Sequence, residues 1–105
     1  MVRLNLGSGD DPRQPGWVHV DLRPEVADVV CDASDLSFVA DGEADEVRAF
    51  DLIEHFPQAR IQDVLAEWWR VLKPGAKLSV RVPNMTRLCE WIANGIHVEL
   101  AIRNV

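Results

Sequence analysis

Short apolar runs and one long helical stripe make up the hydrophobic pattern of this chain. Strands are typically runs of about four to eight apolar or alternating residues bounded by turn residues. Such runs predict strands at residues 2–6, 17–21, 28–31, 46–50 and 77–82.

The helical stripe lies between the fourth and fifth predicted strands. Its apolar members recur every three or four residues, as on one face of an α-helix: Ile61, Val64, Leu65, Trp68, Val71 and Leu72. The Lys-Pro-Gly sequence at 73–75 is expected to stop this helix. A second stripe, from Met85 to Ile92, predicts a last helix that closes at Asn94 and Gly95, and residues 98–102 predict a short edge strand or a frayed tail.

The connections between these elements predict how the strands are arranged. Pro12, Pro15 and Gly16 leave no room for a helix between the first two strands. Strands separated by helices and short crossovers predict a mostly parallel, buried sheet. Ligands of such sheets bind beyond the carboxyl ends of the strands, where the strand order reverses.

Acidic side chains follow the predicted strands at this edge. Residues 7–11 (GSGDD) follow the first strand, Asp21 the second and Asp32 the third, and residues 51–55 (DLIEH) follow the fourth. The carboxyl ends of parallel strands share one edge, so the sequence predicts an acidic rim around a ligand site.

The turn at residues 7–11 limits the choice of ligand. Gly7 and Gly9 allow positive φ and a close approach of the backbone. A dinucleotide fingerprint needs a third glycine where this chain has Pro12, and no P-loop lysine follows. Asp10 and Asp11 would repel phosphates. A cofactor with a nucleoside, a positive centre and no phosphate fits better, and S-adenosylmethionine has these features.

Composition narrows the function classes further. The chain has 105 residues, 48% of them hydrophobic, which suffices for one core and one domain. A net charge of −6 disfavours binding to nucleic acid or to an anionic membrane, because both need clustered Lys and Arg. No apolar run approaches the ~20 residues that cross a bilayer, and no signal-peptide pattern opens the chain, so we expect a cytoplasmic protein.

Cys31 and Cys89 lack partners at metal-ligand spacing, and we expect buried thiols without a disulfide or metal.

Five segments follow one another along the chain: LNLGSG, HVDL, CDASDL, FDLIEHF and EWWRVLKPGAKLSVRVPN. In this order they resemble the small class I S-adenosylmethionine-dependent methyltransferases, in the group with a short link between the first two strands. The resemblance covers roughly residues 3–90. It implies an α/β fold: a three-layer, Rossmann-like and mostly parallel sheet of about five strands, here without the antiparallel hairpin that usually follows.

The resemblance also implies roles for the rim residues. Gly7, Ser8 and Gly9 would border the methionine part of the cofactor. Asp21, followed by Leu22, would accept both ribose hydroxyls, and a carboxylate has two oxygens suited to that task. Asp32 and Ala33 would face the adenine amine, although an aspartate here can equally cap a turn. Phe50 to His55 would line the methyl-transfer end.

Two side chains of this last segment carry candidate chemistry. Glu54 is a candidate for binding the cofactor ammonium. His55 is a candidate general base that removes a proton from an oxygen or nitrogen acceptor, and its alternative role is structural hydrogen bonding.

Three functions remain open at this point. The first is a methyltransferase acting on a small-molecule acceptor. The second is a non-catalytic domain that binds the cofactor, because only about twenty residues follow the fifth predicted strand. The third is an acidic protein-interaction module with inherited architecture. Self-association through an exposed sheet edge is a further expectation.

Overall fold

The structure is a computed structural model that describes residues 1–82. Its main elements are β1 (Arg3–Leu6), β2 (Val18–Asp21), β3 (Val29–Val30), β4 (Ala44–Phe50), α1 (Ile61–Val71) and β5 (Leu72–Arg81). Two short 3₁₀ helices, Ile53–His55 and Gln58–Arg60, connect β4 to α1. These elements confirm the five predicted strands and the first predicted helix. The predicted last helix, the 98–102 strand and Cys89 lie outside the described residues.

All strand pairs of the sheet are parallel, in the order β3-β2-β1-β4-β5. The chain proceeds outward from β1 to β3, and then returns to the other side of β1 to place β4. The strand order therefore reverses between β1 and β4, which is where ligands of open α/β sheets bind. The fold class is α/β and Rossmann-like, as predicted.

The hydrophobic core lies on one face of the sheet. Leu4, Leu6, Val47 and Leu78 project from that face and are fully buried. Helix α1 covers them with the apolar stripe that the sequence predicted, and Trp68 at its centre is fully buried. Side chains alternate across a strand, so residues one position away lie on the opposite face.

That opposite face carries polar side chains. His19, Asn5, Arg48 and Ser79 are register partners across four neighbouring strands and form one row on it. The connections that would place helices there are short: within residues 7–17 and 22–28 no helix forms. The absence of a helix between β1 and β2 agrees with the prediction from the two prolines.

The end of α1 differs from the prediction. The helix ends at Val71, two residues before Lys-Pro-Gly, because Leu72 already has an extended backbone and pairs with Ala44. Regular pairing resumes at Lys77 opposite Glu46, after a break in register. Gly75, with φ +78°, lies within this break.

None of the helices formed by residues 1–82 has the length and apolar character needed to cross a membrane.

Candidate functional site

A pocket of about 360 Å³ opens at the carboxyl edge of the sheet. Its lining comes from the ends of β1, β2 and β3 on one side and from the segment between β4 and α1 on the other. The residues are Gly7, Val20, Asp21, Leu22, Cys31, Asp32, Ala33, Leu52, His55, Phe56, Pro57 and Arg60. Pockets of roughly 300–1,000 Å³ are typical of small-molecule sites.

The glycine turn after β1 brings the backbone against the pocket. Gly7 has φ +60°, and a Cβ at this position would lie 2.8 Å from a methyl group of Leu52. The Gly7 amide donates a hydrogen bond to the Val20 carbonyl (2.8 Å), which ties the turn to the end of β2. The positive φ therefore favours glycine at position 7, and any larger residue would also require the Leu52 side chain to shift.

The Asp21 carboxylate is fixed at the rim by hydrogen bonds from two backbone amides. Its side chain is only 13% exposed. One oxygen accepts the amide of Gly9 (2.9 Å) and the other accepts the amide of Arg23 (3.0 Å). Burial raises the pKa of Asp21, but the two amide hydrogen bonds and the Arg23 guanidinium outweigh it and lower the pKa below its ordinary value. The oxygen bonded to Gly9 has no second partner among the described residues, so an ionised Asp21 can still accept a hydroxyl donor there.

Asp32 closes the pocket at the β3 end. Its Oδ1 atom accepts both the amide (2.9 Å) and the hydroxyl (2.8 Å) of Ser34. These hydrogen bonds, aided by the nearby Arg60, lower the pKa of Asp32 below its ordinary value despite partial burial. The carbonyl of the adjacent Ala33 accepts a hydrogen bond from the Trp68 indole (2.9 Å), which anchors this wall to α1.

The segment after β4 forms the opposite wall. Asp51 has φ +55°, a conformation uncommon outside glycine, and it redirects the chain into the first 3₁₀ helix. Leu52 and the exposed His55 line the pocket. The Oε1 atom of Glu54 is buried without a hydrogen-bond partner in residues 1–82, and Glu54 is not among the pocket-lining residues.

Six of the ten site residues proposed from the sequence line this pocket: Gly7, Asp21, Leu22, Asp32, Ala33 and His55. Gly9 contributes through its hydrogen bond to Asp21, and the buried Ser8 hydroxyl has no partner. Phe50 is not brought into the pocket. It lies on the opposite face of the sheet, between the guanidinium groups of Arg48 and Arg81.

The two aspartates of the turn after β1 are not among the pocket-lining residues. The side chain of Asp10 is 89% exposed and lies 3.8 Å from the Arg23 guanidinium. Asp11 accepts a hydrogen bond from the Asn5 side chain (3.3 Å). These carboxylates therefore surround the turn without occupying the space in front of Gly7.

Residues that the sequence did not single out complete the pocket. Phe56, Pro57 and Arg60 reach it because the chain makes two 3₁₀ turns before α1 begins. Their position depends on this irregular connection, for which the sequence carries no periodic signal. Within residues 1–82 no group of three or more His, Cys, Asp or Glu side chains is arranged to hold a metal ion.

The lowered pKa of Asp32 predicts a pH dependence of stability. In the unfolded chain Asp32 has its ordinary pKa of 3.8, so as the pH falls it takes up a proton before the folded chain does. The stabilisation is therefore fully present above about pH 3.8 and is lost as the pH falls through the lower pKa of the folded state. Between about pH 5 and pH 3 we expect the unfolding free energy of Asp32→Asn, measured by urea unfolding, to fall less than that of the wild type. Asp10→Asn, on the exposed part of the rim, is the control. Identical pH profiles for wild type and Asp32→Asn would contradict the prediction.

A parallel α/β sheet with a pocket at its switch point defines the class of Rossmann-like ligand-binding domains. A family model described as a methyltransferase domain matches residues 13–80. This match covers more than half of the chain, and the chain belongs to this family of class I S-adenosylmethionine-dependent methyltransferase domains. No curated protein and no solved structure matches the chain.

Proposed function

We propose that this protein binds S-adenosylmethionine in the carboxyl-edge pocket and transfers its methyl group to a small-molecule acceptor. The observation that carries the proposal is the position of Asp21: an ionised, well-held carboxylate at the end of β2, joined to the glycine turn of β1 by a hydrogen bond. Family membership supports a methyltransferase function and a cofactor of this kind.

The residues of the pocket fit the chemical groups of this cofactor. A carboxylate is a strong acceptor for hydroxyl donors, so Asp21 would hold the ribose. Asp32 is a carboxylate acceptor for the adenine amine at the end of β3. Glu54 does not line the pocket, but its buried, unpartnered oxygen belongs to the residue next to the pocket-lining His55, and we propose it as the acceptor for the ammonium of the methionine part. Gly7, which has no side chain, would present only its backbone to that part.

Bound S-adenosylmethionine supplies a methyl group activated by a sulfonium. The protein then has to orient the acceptor in line with that group, exclude water and remove a proton where the acceptor is a hydroxyl or an amine. His55 lines the pocket and is exposed to incoming acceptors, so we propose it as the group that takes this proton. Phe56 and Leu52 would supply the apolar wall that keeps water away.

Calorimetric titration with S-adenosylmethionine and its demethylated product tests the proposal. We expect Asp21→Ala to weaken binding by about 1.5 kcal/mol or more, the scale of a lost hydrogen bond to a charged group. Asp10→Ala removes an exposed carboxylate from the same rim and should leave binding within about 0.5 kcal/mol of wild type.

Three results would count against all or part of the proposed function. A folded wild-type chain that binds neither compound has no such cofactor site. Equal loss in Asp21→Ala and Asp10→Ala would assign binding to the general charge of the rim. If both compounds bind and no methyl transfer occurs with any acceptor, the proposed catalysis fails while the cofactor site stands.

A further inference from the structure

Arg60 is the only arginine among the pocket-lining residues within the described part of the chain. It occupies the N-cap position of α1. Its guanidinium Nη2 donates a hydrogen bond to the Ser34 hydroxyl across the pocket mouth (3.2 Å), and that hydroxyl donates in turn to Asp32 (2.8 Å). One chain of hydrogen bonds therefore links the wall after β4 to the wall after β3.

The charge of Arg60 is not committed to a structural ion pair. Within residues 1–82, none of the carboxylates lies within 4.0 Å of its guanidinium. Most other arginines of this region, by contrast, are close to a carboxylate: Arg3, Arg13, Arg23, Arg70 and Arg81. Arg60 is also exposed, so its side chain is held by Ser34 rather than by packing.

The neighbours of Arg60 restrict the ligand group that it can meet. Asp32 and Asp21 line the same pocket, and they would repel a phosphate or carboxylate. A neutral aromatic ring is compatible with both carboxylates and with the guanidinium. A guanidinium is planar and weakly hydrated and stacks flat on aromatic faces, whereas an ammonium attracts a ring only as a point charge.

We propose that the guanidinium of Arg60 stacks on the adenine of the bound cofactor, with Ser34 holding it in place at the β3 end of the pocket. This inference rests on the proposed function, because that function places the adenine beside Asp32. The positive sulfonium would lie near the β1 turn, two strands away or about 10 Å, since neighbouring strands are about 4.8 Å apart. Arg60 would thus bind the base without strong repulsion of the sulfonium.

The test compares two ligands that differ only in the base: S-adenosylhomocysteine, and S-ribosylhomocysteine, in which a hydroxyl replaces adenine. Both are titrated into the full 105-residue chain by calorimetry. Stacking on a base contributes enough to change affinity about tenfold. We expect Arg60→Lys and Arg60→Ala each to reduce the preference for the adenine compound about tenfold, because lysine keeps the charge and loses the plane. Arg3→Lys, the same change at the start of β1 and outside the pocket, should keep the wild-type preference.

The possible outcomes are separable. If Arg60→Ala loses the preference while Arg60→Lys retains it, only the charge matters and stacking is wrong. An unchanged preference in both Arg60 variants overturns this inference and leaves the proposed cofactor site intact. If a folded wild-type chain binds neither compound, the proposed function fails, and this inference fails with it.

Discussion

Trp68→Ala is expected to reduce the unfolding free energy by about 3–5 kcal/mol, the usual cost of removing a large aromatic side chain from a core. Trp68 is fully buried at the centre of α1, where it packs against the sheet. Its indole N–H also donates to the Ala33 carbonyl, so the substitution leaves a buried carbonyl unpaired. Small domains are stable by only about 5–15 kcal/mol, so urea unfolding followed by circular dichroism should show a large shift in midpoint.

Two variants separate the contributions of Trp68. Trp68→Phe keeps most of the apolar packing and loses the hydrogen bond, and we expect a cost of about 1–3 kcal/mol. Trp69→Ala changes the next residue, whose side chain is 48% exposed, and should cost far less than Trp68→Ala. Equal costs for Trp68→Ala and Trp69→Ala would contradict the packing described here. Because Ala33 lies on the pocket wall, Trp68→Phe should also weaken cofactor binding.

The regular part of the fold could be predicted from the sequence because burial imposes periods. The stripe from Ile61 to Val71 has the period of a helix that buries one face, and the structure buries those residues. The end of α1 could not be predicted from the sequence, because pairing of Leu72 with Ala44 stops the helix before Lys-Pro-Gly does. That pairing joins residues far apart in sequence, and local propensity does not contain it.

Part of the candidate site could likewise be predicted from the strand pattern, and part could not. Gly7 and Asp21 were expected to share an edge because the carboxyl ends of parallel strands meet there, and the Gly9–Asp21 hydrogen bond lies at that edge. Phe50 was assigned to the site by resemblance, whereas strand alternation places it on the face opposite Ala49, away from the pocket. Arg60 required knowledge of the two 3₁₀ turns, which no periodic pattern signals.

Arg70 is the arginine of the RVLKPG sequence, and the structure gives it a structural role. Its guanidinium donates to the carbonyls of Leu36 and Val39 (both 3.0 Å) and to the carboxylate of Glu67 (2.8 and 3.0 Å). Glu67 also accepts the Leu36 amide (2.7 Å), and hydrogen bonds to Glu67 and Asp41 raise the pKa of Arg70. Helix α1 thereby holds the connection from β3 to β4, whose first residues form the pocket wall.

We expect Arg70→Met to reduce the unfolding free energy by about 2–3 kcal/mol, because it leaves a largely buried carboxylate and two carbonyls without their donor. The side chain of Arg70 is 30% exposed, so we place the cost below that of a fully buried ion pair. Arg70→Lys should recover only part of the loss, since an ammonium cannot match the planar array of donors. The measurement is urea unfolding, together with hydrogen exchange of the amides at residues 33–43, which should exchange faster.

The exposed pair of Lys73 with Asp45 (2.7 Å) is the control for Arg70. Lys73→Met should cost about 0–1 kcal/mol, as is typical of surface ion pairs. A double-mutant cycle of Arg70→Met with Glu67→Gln should show coupling of about 1 kcal/mol or more, because the two side chains act as one hydrogen-bonded unit. Additive costs, or an Arg70→Met chain as stable as Lys73→Met, would mean that the network does not hold the β3–β4 connection. The attachment of the pocket wall to α1 would then rest on the hydrogen bonds of Trp68 to Ala33 and of the N-cap residue Arg60 to Ser34.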